Sequence, residues 1–381
     1  MPLERFEVIF VDTPEVFSET SKRILAAPWI AIDTEADSLH HYAEKLCLIQ
    51  VSISDEDYVI DPLAKIDLAN FFRELSTKNL IFHAADGDVR LMKKAAPFSP
   101  QRVFDTLIAA QILGYEKIGL QNLAEKHCGI KLSKTEQKAD WSQRPLEEKL
   151  IRYAVNDTHY LRTISEAMRE ELAALGRLEW HRQQCAKLLE MLETLKPVED
   201  NISTSWQIKG ARTLKGKELT LLRELWFWRD SLARQRDKPA FKILNSEYLT
   251  DLAKWAAENP GVDVGEWKTA PRNVRGEYRQ ALNELLKRAV SLPQAVMELP
   301  ARERPRQRWG ERETKIMGEL KTVRDKFAAD LKISPSLIAT NALMETLAIE
   351  KPKEISALES KGMLPWQIEV AGEELLKKLS G

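Results

Sequence analysis

The chain has 381 residues, with 57 Lys and Arg against 58 Asp and Glu, 44% apolar and 30% charged residues and a mean hydropathy of −0.37. These values exclude a disordered or collagenous chain and leave room for two or three domains, each with its own core. Cys47, Cys128 and Cys185 form no CxxC pair, the opening MPLERFEVIF has no basic leader pattern, and no apolar run reaches the roughly 18 residues of a membrane span. The expected setting is therefore the cytoplasm.

Over the first two hundred residues short apolar runs alternate with amphipathic stretches, the pattern of a mixed α/β layer fold. A helix is predicted over 14–26, then strands at Trp29–Ile32, Leu46–Val51 and Tyr58–Ile60 and a helix over 67–76. A fourth strand at Asn79–Phe82 leads into a helix over 86–95, and a short fifth at Arg102–Phe104 into helices over 106–114 and 119–128. One long helix is predicted from about 145 to 170, and another over 177–194 leading out of the first domain before Lys196-Pro197 breaks it. Beyond residue 105 no strand pattern recurs.

The tail repeats itself. Leu225, Arg229-Asp230, Ala233, Leu252 and Ala253 return 95 residues later as Leu320, Arg324-Asp325, Ala328, Leu347 and Ala348, which points to two copies of one small helical module. The domains expected are 1–200, a first module over 208–290, a Pro- and Arg-rich linker over 291–312 and a second module over 313–381. Charge is uneven along them. Residues 1–200 hold 25 basic and 33 acidic groups, whereas 201–290 hold 17 and 11, so the first module is the part suited to holding a polyanion.

Acids stand where the apolar runs end. In Ile32-Asp33-Thr34-Glu35 the two carboxylates are two residues apart on a strand and share a face. Two such groups repel, and a hard divalent cation satisfies both; a polar turn ending the strand is the alternative. Asp88 falls in the first turn of the helix after the fourth strand, where it also complements the helix dipole, and Asp86 before Gly87 suits an N-cap. Tyr153 and Asp157 are i and i+4 on one helix face, and in isolation read equally as a surface pair. Weaker candidates for substrate contact are His83, Gln50, Lys134, Gln137 and Trp141, together with Arg234, Arg236 and Lys238 in the basic module.

These three acidic segments, in this order and spacing, resemble the exonuclease motifs of the DEDD superfamily of 3′→5′ exonucleases. Tyr153 four residues before Asp157 is similar to the DEDDy branch. Leu48-Ile49-Gln50, Phe104-Asp105-Thr106 and Asp140-Trp141-Ser142-Gln143-Arg144-Pro145-Leu146 resemble ribonuclease D and its nuclear-exosome relatives. Arg229-Asp230 through Lys238-Pro239 resembles an HRDC module, and the second copy resembles a more divergent one. The resemblance implies an α/β ribonuclease H-like catalytic domain, a mixed sheet flanked by helices, followed by two all-α HRDC modules. It also implies that Asp33, Glu35, Asp88 and Asp157 hold two Mg²⁺ or Mn²⁺ ions while Tyr153 orients the attacking water. The expected activity is stepwise release of nucleoside 5′-monophosphates from RNA with a free 3′-hydroxyl, tRNA precursors foremost, by a monomer without an organic cofactor. Two alternatives stand beside it, a DNA 3′→5′ exonuclease and a catalytically silent RNA-binding adaptor. After Glu35 the stretch Ala36–Glu44 is closer to the exosome-associated branch than to other ribonuclease D relatives, which bears on substrate choice.

Overall fold

The computed structural model describes residues 7–54, 56–194, 202–297 and 310–380. Its contacts divide the chain into two compact units: residues 1–36, 46–195 and 306–381, and residues 37–45 with 196–305.

The first unit is built on a six-stranded sheet ordered β1-β4-β3-β2-β5-β6: β1 (Val8–Val11), β2 (Ile30–Ala36), β3 (Leu46–Ile53), β4 (Glu56–Ile60), β5 (Asn79–Phe82) and β6 (Arg102–Asp105). β3 runs antiparallel to β2 and β4, and the other pairs are parallel. Among the described residues up to Thr194 the sheet is accompanied, in chain order, by the helices α1 (Pro14–Ala26), α2 (Leu68–Leu75), α3 (Asp86–Ala95), α4 (Thr106–Leu113), α5 (Leu120–Cys128), α6 (Glu148–His159), α7 (Leu161–Ala174) and α8 (Leu178–Thr194). Alternation along the strands assigns the faces. Ile30, Ile32, Ile49, Val51, Leu80 and Phe82 form a core with Phe71 and Phe72 of α2 and Val89 of α3. On the opposite face Leu48 and Val59 pack on Leu150, Ala154 and Val155 of α6, and Ala31, Ile81 and Phe104 pack beneath α4 and α7.

Two expectations change here. The helix predicted over 145–170 is two helices that part at Tyr160. Leu150 to Val155 belong to the core over β3 and β4, whereas Tyr160, Leu161 and Ile164 belong to the core with α4 and α5, and one straight rod cannot reach both. Strand β1 carried no prediction; its apolar run, Val8–Val11, is only four residues long, and as an edge strand it is half-buried along most of its length.

Asp86 does not cap α3. It pairs with Arg90 at the surface, and the amides of Ala84 and Ala85 are taken by the Asp105 carboxylate at 3.1 and 2.9 Å. The same carboxylate caps α4 through Leu107 at 2.8 Å and Ile108 at 3.3 Å. Ala84 sits at φ 66, a left-handed conformation unfavourable for a residue with a Cβ, so the double cap holds a strained turn. Asp105→Ala should lower the unfolding free energy in urea by about 3 kcal/mol, because four amide donors, all buried or part-buried, lose their acceptor.

The repeat is visible as wiring. In the first module Arg229 donates to the Leu244 carbonyl at 3.0 Å and to Ser246 at 3.1 Å. In the second, Arg324 donates to the Ala339 carbonyl at 3.3 Å and to Asn341 at 2.9 Å, every partner displaced by the same 95 residues. The second unit centres on the helix Lys217–Gln235 and buries Trp206, Leu225, Trp226, Leu252 and Trp267. Residues 37–45 join it through Tyr42, whose hydroxyl donates to Asp230 at 2.7 Å and whose amide donates to Asp237 at 3.1 Å. In the first unit the second module docks on α8: Trp180 stacks on Trp366 at 4.6 Å, and Arg177 donates to the Leu331 carbonyl at 2.9 Å. The linker around Pro300–Trp309 and the break at Lys196–Asp200 lie outside the described residues.

Candidate active site

Strand β2 leaves the core at Ile32 and delivers its next three side chains to alternate sides. Asp33 and Glu35 face α6, which brings up Asp157, and one carboxylate oxygen from each of the three lies within 4.8 Å of the others. Thr34 faces the other way and donates to Asp88 Oδ1 at 2.6 Å, fixing the fourth acid at the start of α3. Helix α6 is itself pinned beside Asp157. Ser52 of β3 bonds Thr158 at 2.7 Å and donates to Asp57 at 2.5 Å, and Asp57 pairs with His159 at 2.7 Å.

The electrostatics are those of negative groups forced together. Burial first, then Asp88, Asp157 and Glu35, raise the Asp33 carboxyl well above its ordinary value. Burial, with Asp157 and Asp88, raises Glu35 to about 8. Asp157 rises to about 7 through burial and Asp88, and Asp88 to about 7 through burial, against hydrogen bonds from Thr34 that favour its charged form. Burial and the nearby Asp157, Glu35 and Asp33 raise the Tyr153 phenol, so it stays a proton donor at any working pH. A cluster of this kind is satisfied by cations, and an all-oxygen donor set suits hard divalent ions over zinc. Gln50 adds a further sign. It lies directly across from Asp33 in the β2–β3 ladder, is fully buried, and both polar atoms of its side-chain amide lack a partner among the described residues. The residues present therefore fit a divalent-ion site.

The remaining candidates divide. His83 at the end of β5 bonds Thr106 at 2.9 Å; Thr106 gives its own proton to the Phe82 carbonyl, so His83 Nδ1 is the donor. Burial lowers its pKa, leaving a neutral ring. Lys134 and Gln137 are exposed on the loop before α6. Trp141, a weaker candidate for substrate contact whose preferred reading from sequence is a packing anchor for its loop, is 1% exposed and packs 6.0 Å from the Tyr153 ring, so it supports that tyrosine and offers no open face. Its loop is anchored by Arg144, which donates to both oxygens of Asp61 at 2.6 and 2.7 Å. In the second unit Arg234 donates to the Tyr42 hydroxyl at 3.1 Å, Arg236 bonds Tyr278 at 3.3 Å and pairs with Glu277, and Lys238 is exposed. Thr34 and Asp105 were not singled out as site residues. Their signal was position alone, between two acids and at a strand-to-helix junction.

Comparison with known proteins gives this geometry a family. Residues 8–173 match the 3′-5′ exonuclease family, and residues 218–261 and 313–379 match the HRDC domain. The ribonuclease D of Sphingobium indicum is 30% identical over 94% of this chain and 91% of its own length. The chain belongs to the ribonuclease D family. It is a 3′→5′ exoribonuclease, and its fold implies the use of divalent metal. The ribonuclease D of Nitrobacter hamburgensis is 28% identical over 96% of this chain and 94% of its own. Among solved structures, Escherichia coli ribonuclease D, an exoribonuclease involved in structured RNA processing, superposes with a TM-score of 0.65 at 25% identity, covering 99% of both chains. No helix among the described residues is long and apolar enough to cross a membrane.

Proposed function

We propose that Asp33, Glu35, Asp88 and Asp157 bind two Mg²⁺ or Mn²⁺ ions and that Tyr153 is the fifth catalytic residue, acting on the 3′ ends of structured RNA, tRNA precursors foremost. The observation that carries this reading is the convergence of Asp33, Glu35 and Asp157 within 4.8 Å, with Asp88 held beside them by Thr34. Bound there, the ions would supply Lewis acidity for activating water and for stabilising charge on the leaving 3′-oxygen. The protein's part is to fix the geometry. Thr34 holds the Asp88 carboxylate in place, the Ser52–Thr158 and Asp57–His159 contacts fix the end of α6, and Trp141 steadies the Tyr153 ring. The Tyr153 hydroxyl, protonated throughout, donates to or orients the water on its line toward the terminal phosphodiester.

The same reading has a monomer working in the cytoplasm, with an exonuclease domain over 1–200 and HRDC modules over 208–290 and 313–381, the basic first module gripping the RNA body through Arg234, Arg236 and Lys238. His83, Gln50, Lys134 and Gln137 are the further residues proposed to approach substrate.

The experiment is a time course on 5′-labelled tRNA precursor with a 3′ trailer, beside a matched DNA oligomer and a 3′-phosphorylated RNA, in Mg²⁺, Mn²⁺ and EDTA. Stepwise shortening of the 3′-hydroxyl RNA, abolished by EDTA, is expected. Equal attack on DNA would replace the substrate assignment, and shortening that persists in EDTA would remove the ion-binding role of the four acids. Tyr153→Phe should lower kcat about 100-fold with little change in KM, since it removes a proton donor and leaves the ring packing on Trp141.

A further inference from the structure

We infer that the first unit carries a second nucleotide site, a cavity at the opposite end of the sheet from the acids that takes a nucleoside 5′-phosphate. The inference goes beyond the catalytic reading and does not depend on it. The cavity has a volume of about 960 Å³ and opens between the starts of β2 and β5, strand β6 and helices α7 and α8. That volume lies at the upper end of small-molecule sites. Trp29 on its wall is four residues before Asp33, about 13 Å of extended strand.

Charge on this wall is the reverse of its surroundings. Arg102, Arg162, Arg169 and Arg182 line the cavity against one acid, Glu179, on a block whose acids outnumber its bases. Two of the cations lie on rings: the Arg162 guanidinium is 4.8 Å from the centroid of Trp29, and that of Arg169 is 4.7 Å from Phe104. A stacked guanidinium uses its face and keeps its N–H edge for a planar or tetrahedral oxyanion. Arg182 is tied to Glu179 at 2.6 Å, Arg162 to Glu166, and Arg102 to Asn79 at 2.9 Å. Arg169 has no carboxylate partner among the described residues, so it is the cation freest to meet a phosphate.

Leu80, Ile81 and Leu189 give the same cavity an apolar part. An inorganic anion would leave that part unused, and an apolar ligand would leave the cations unanswered. A base joined to a phosphate uses both. The cavity binds without reacting. Burial raises the Cys185 thiol to about 12 and lowers His181 to about 4, and His181 Nε2 lies 3.0 Å from the Asp105 carbonyl, so neither supplies a nucleophile or base at neutral pH. The nucleoside phosphate has two sources, a free mononucleotide such as the reaction releases or a nucleotide within an RNA strand.

The test is calorimetric titration of the full chain in EDTA with each of the four nucleoside 5′-monophosphates, with a trinucleotide RNA and with inorganic phosphate, using wild type, Asp33→Asn and the double variant Arg162→Gln/Arg169→Gln. Saturable binding of a mononucleotide or of the trinucleotide is expected, weakened about tenfold in the double variant and unchanged in Asp33→Asn. Binding of the mononucleotide identifies the free product as the source, and binding of the trinucleotide alone identifies the strand. Should the double variant lose its thermal transition, Arg169→Gln alone, at an exposed position, is expected to weaken binding about threefold. No saturable binding of either nucleotide at millimolar concentration would overturn the site. So would binding that is unaffected by the arginine variants, that is lost in Asp33→Asn, or that inorganic phosphate matches. Nuclease activity retained by Asp33→Asn would instead sink the catalytic reading and leave this site standing.

Discussion

Asp33→Asn should cost about 10³-fold or more in kcat, about 4 kcal/mol of transition-state stabilisation, while making the metal-free protein more stable. Both effects come from one carboxylate. Asp33 is buried against Asp88, Asp157 and Glu35, and each of these raises its pKa, so the folded chain holds it at a cost that an uncharged amide avoids. The variant should therefore melt a few degrees above wild type in EDTA and gain less than wild type when Mg²⁺ is added. Asp86→Asn is the matched control. That carboxylate pairs with Arg90 at the surface and its loss should leave kcat within about twofold. A melting temperature lowered by Asp33→Asn would show that the acids are not strained against one another, and unchanged activity would remove Asp33 from the reaction.

The second large effect is a stability that falls with rising pH in the metal-free protein. Glu35 at about 8 and Asp88 and Asp157 at about 7, with Asp33 also raised, keep their protons in the folded state through a range where the unfolded chain has lost them. Between about pH 4 and pH 8 the folded state binds more protons, so the slope of unfolding free energy with pH is negative. Each such carboxyl contributes up to about 1.4 kcal/mol per pH unit in its window, and the loss is complete once pH passes the folded value. Divalent ions reverse the trend, because binding expels those protons. Thermal melts at pH 5.5, 7 and 8.5 should fall steadily in EDTA, and Mg²⁺ should stabilise most at pH 8.5. Calorimetry in buffers of different ionisation enthalpy should show protons released on Mg²⁺ binding at pH 6 and almost none at pH 9. A flat EDTA profile would contradict the raised carboxyls.

The acids were legible as a set through the resemblance that their order and spacing carry, and regular structure supplied only where near neighbours along the chain point. A strand sends Asp33 and Glu35 to one side whatever surrounds it, and a helix puts Tyr153 over Asp157. What escaped depends on contacts between distant segments. Thr34, on the wrong face for its neighbours' task, matters because α3 delivers Asp88 to it. Asp105 takes over the cap that Asp86 seemed to offer because β6 ends beside β5. The break at Tyr160 follows from two separate cores claiming successive turns, and periodicity alone runs straight through it. Trp141 reads from sequence as an anchor for its loop more than as an open ring, and what the sequence leaves out is the tie that turns it inward, Arg144 on Asp61.

The return of residues 306–381 to the first unit sets an order of events during synthesis on the ribosome. Helix α8 emerges with Trp180, Gln183 and Lys187 committed to partners that are translated only later: Trp366, whose amide Gln183 receives at 3.0 Å, and the carbonyl of Gly362. Until then the flank of the nuclease that carries Trp180 lacks its cover on the nascent chain, with all of the second unit except residues 37–45 still to be made in between. A transcript broken within codons 200–310 therefore yields a protein with its acids in sequence but one wall missing, a natural substrate for chaperones and for degradation before it meets any RNA.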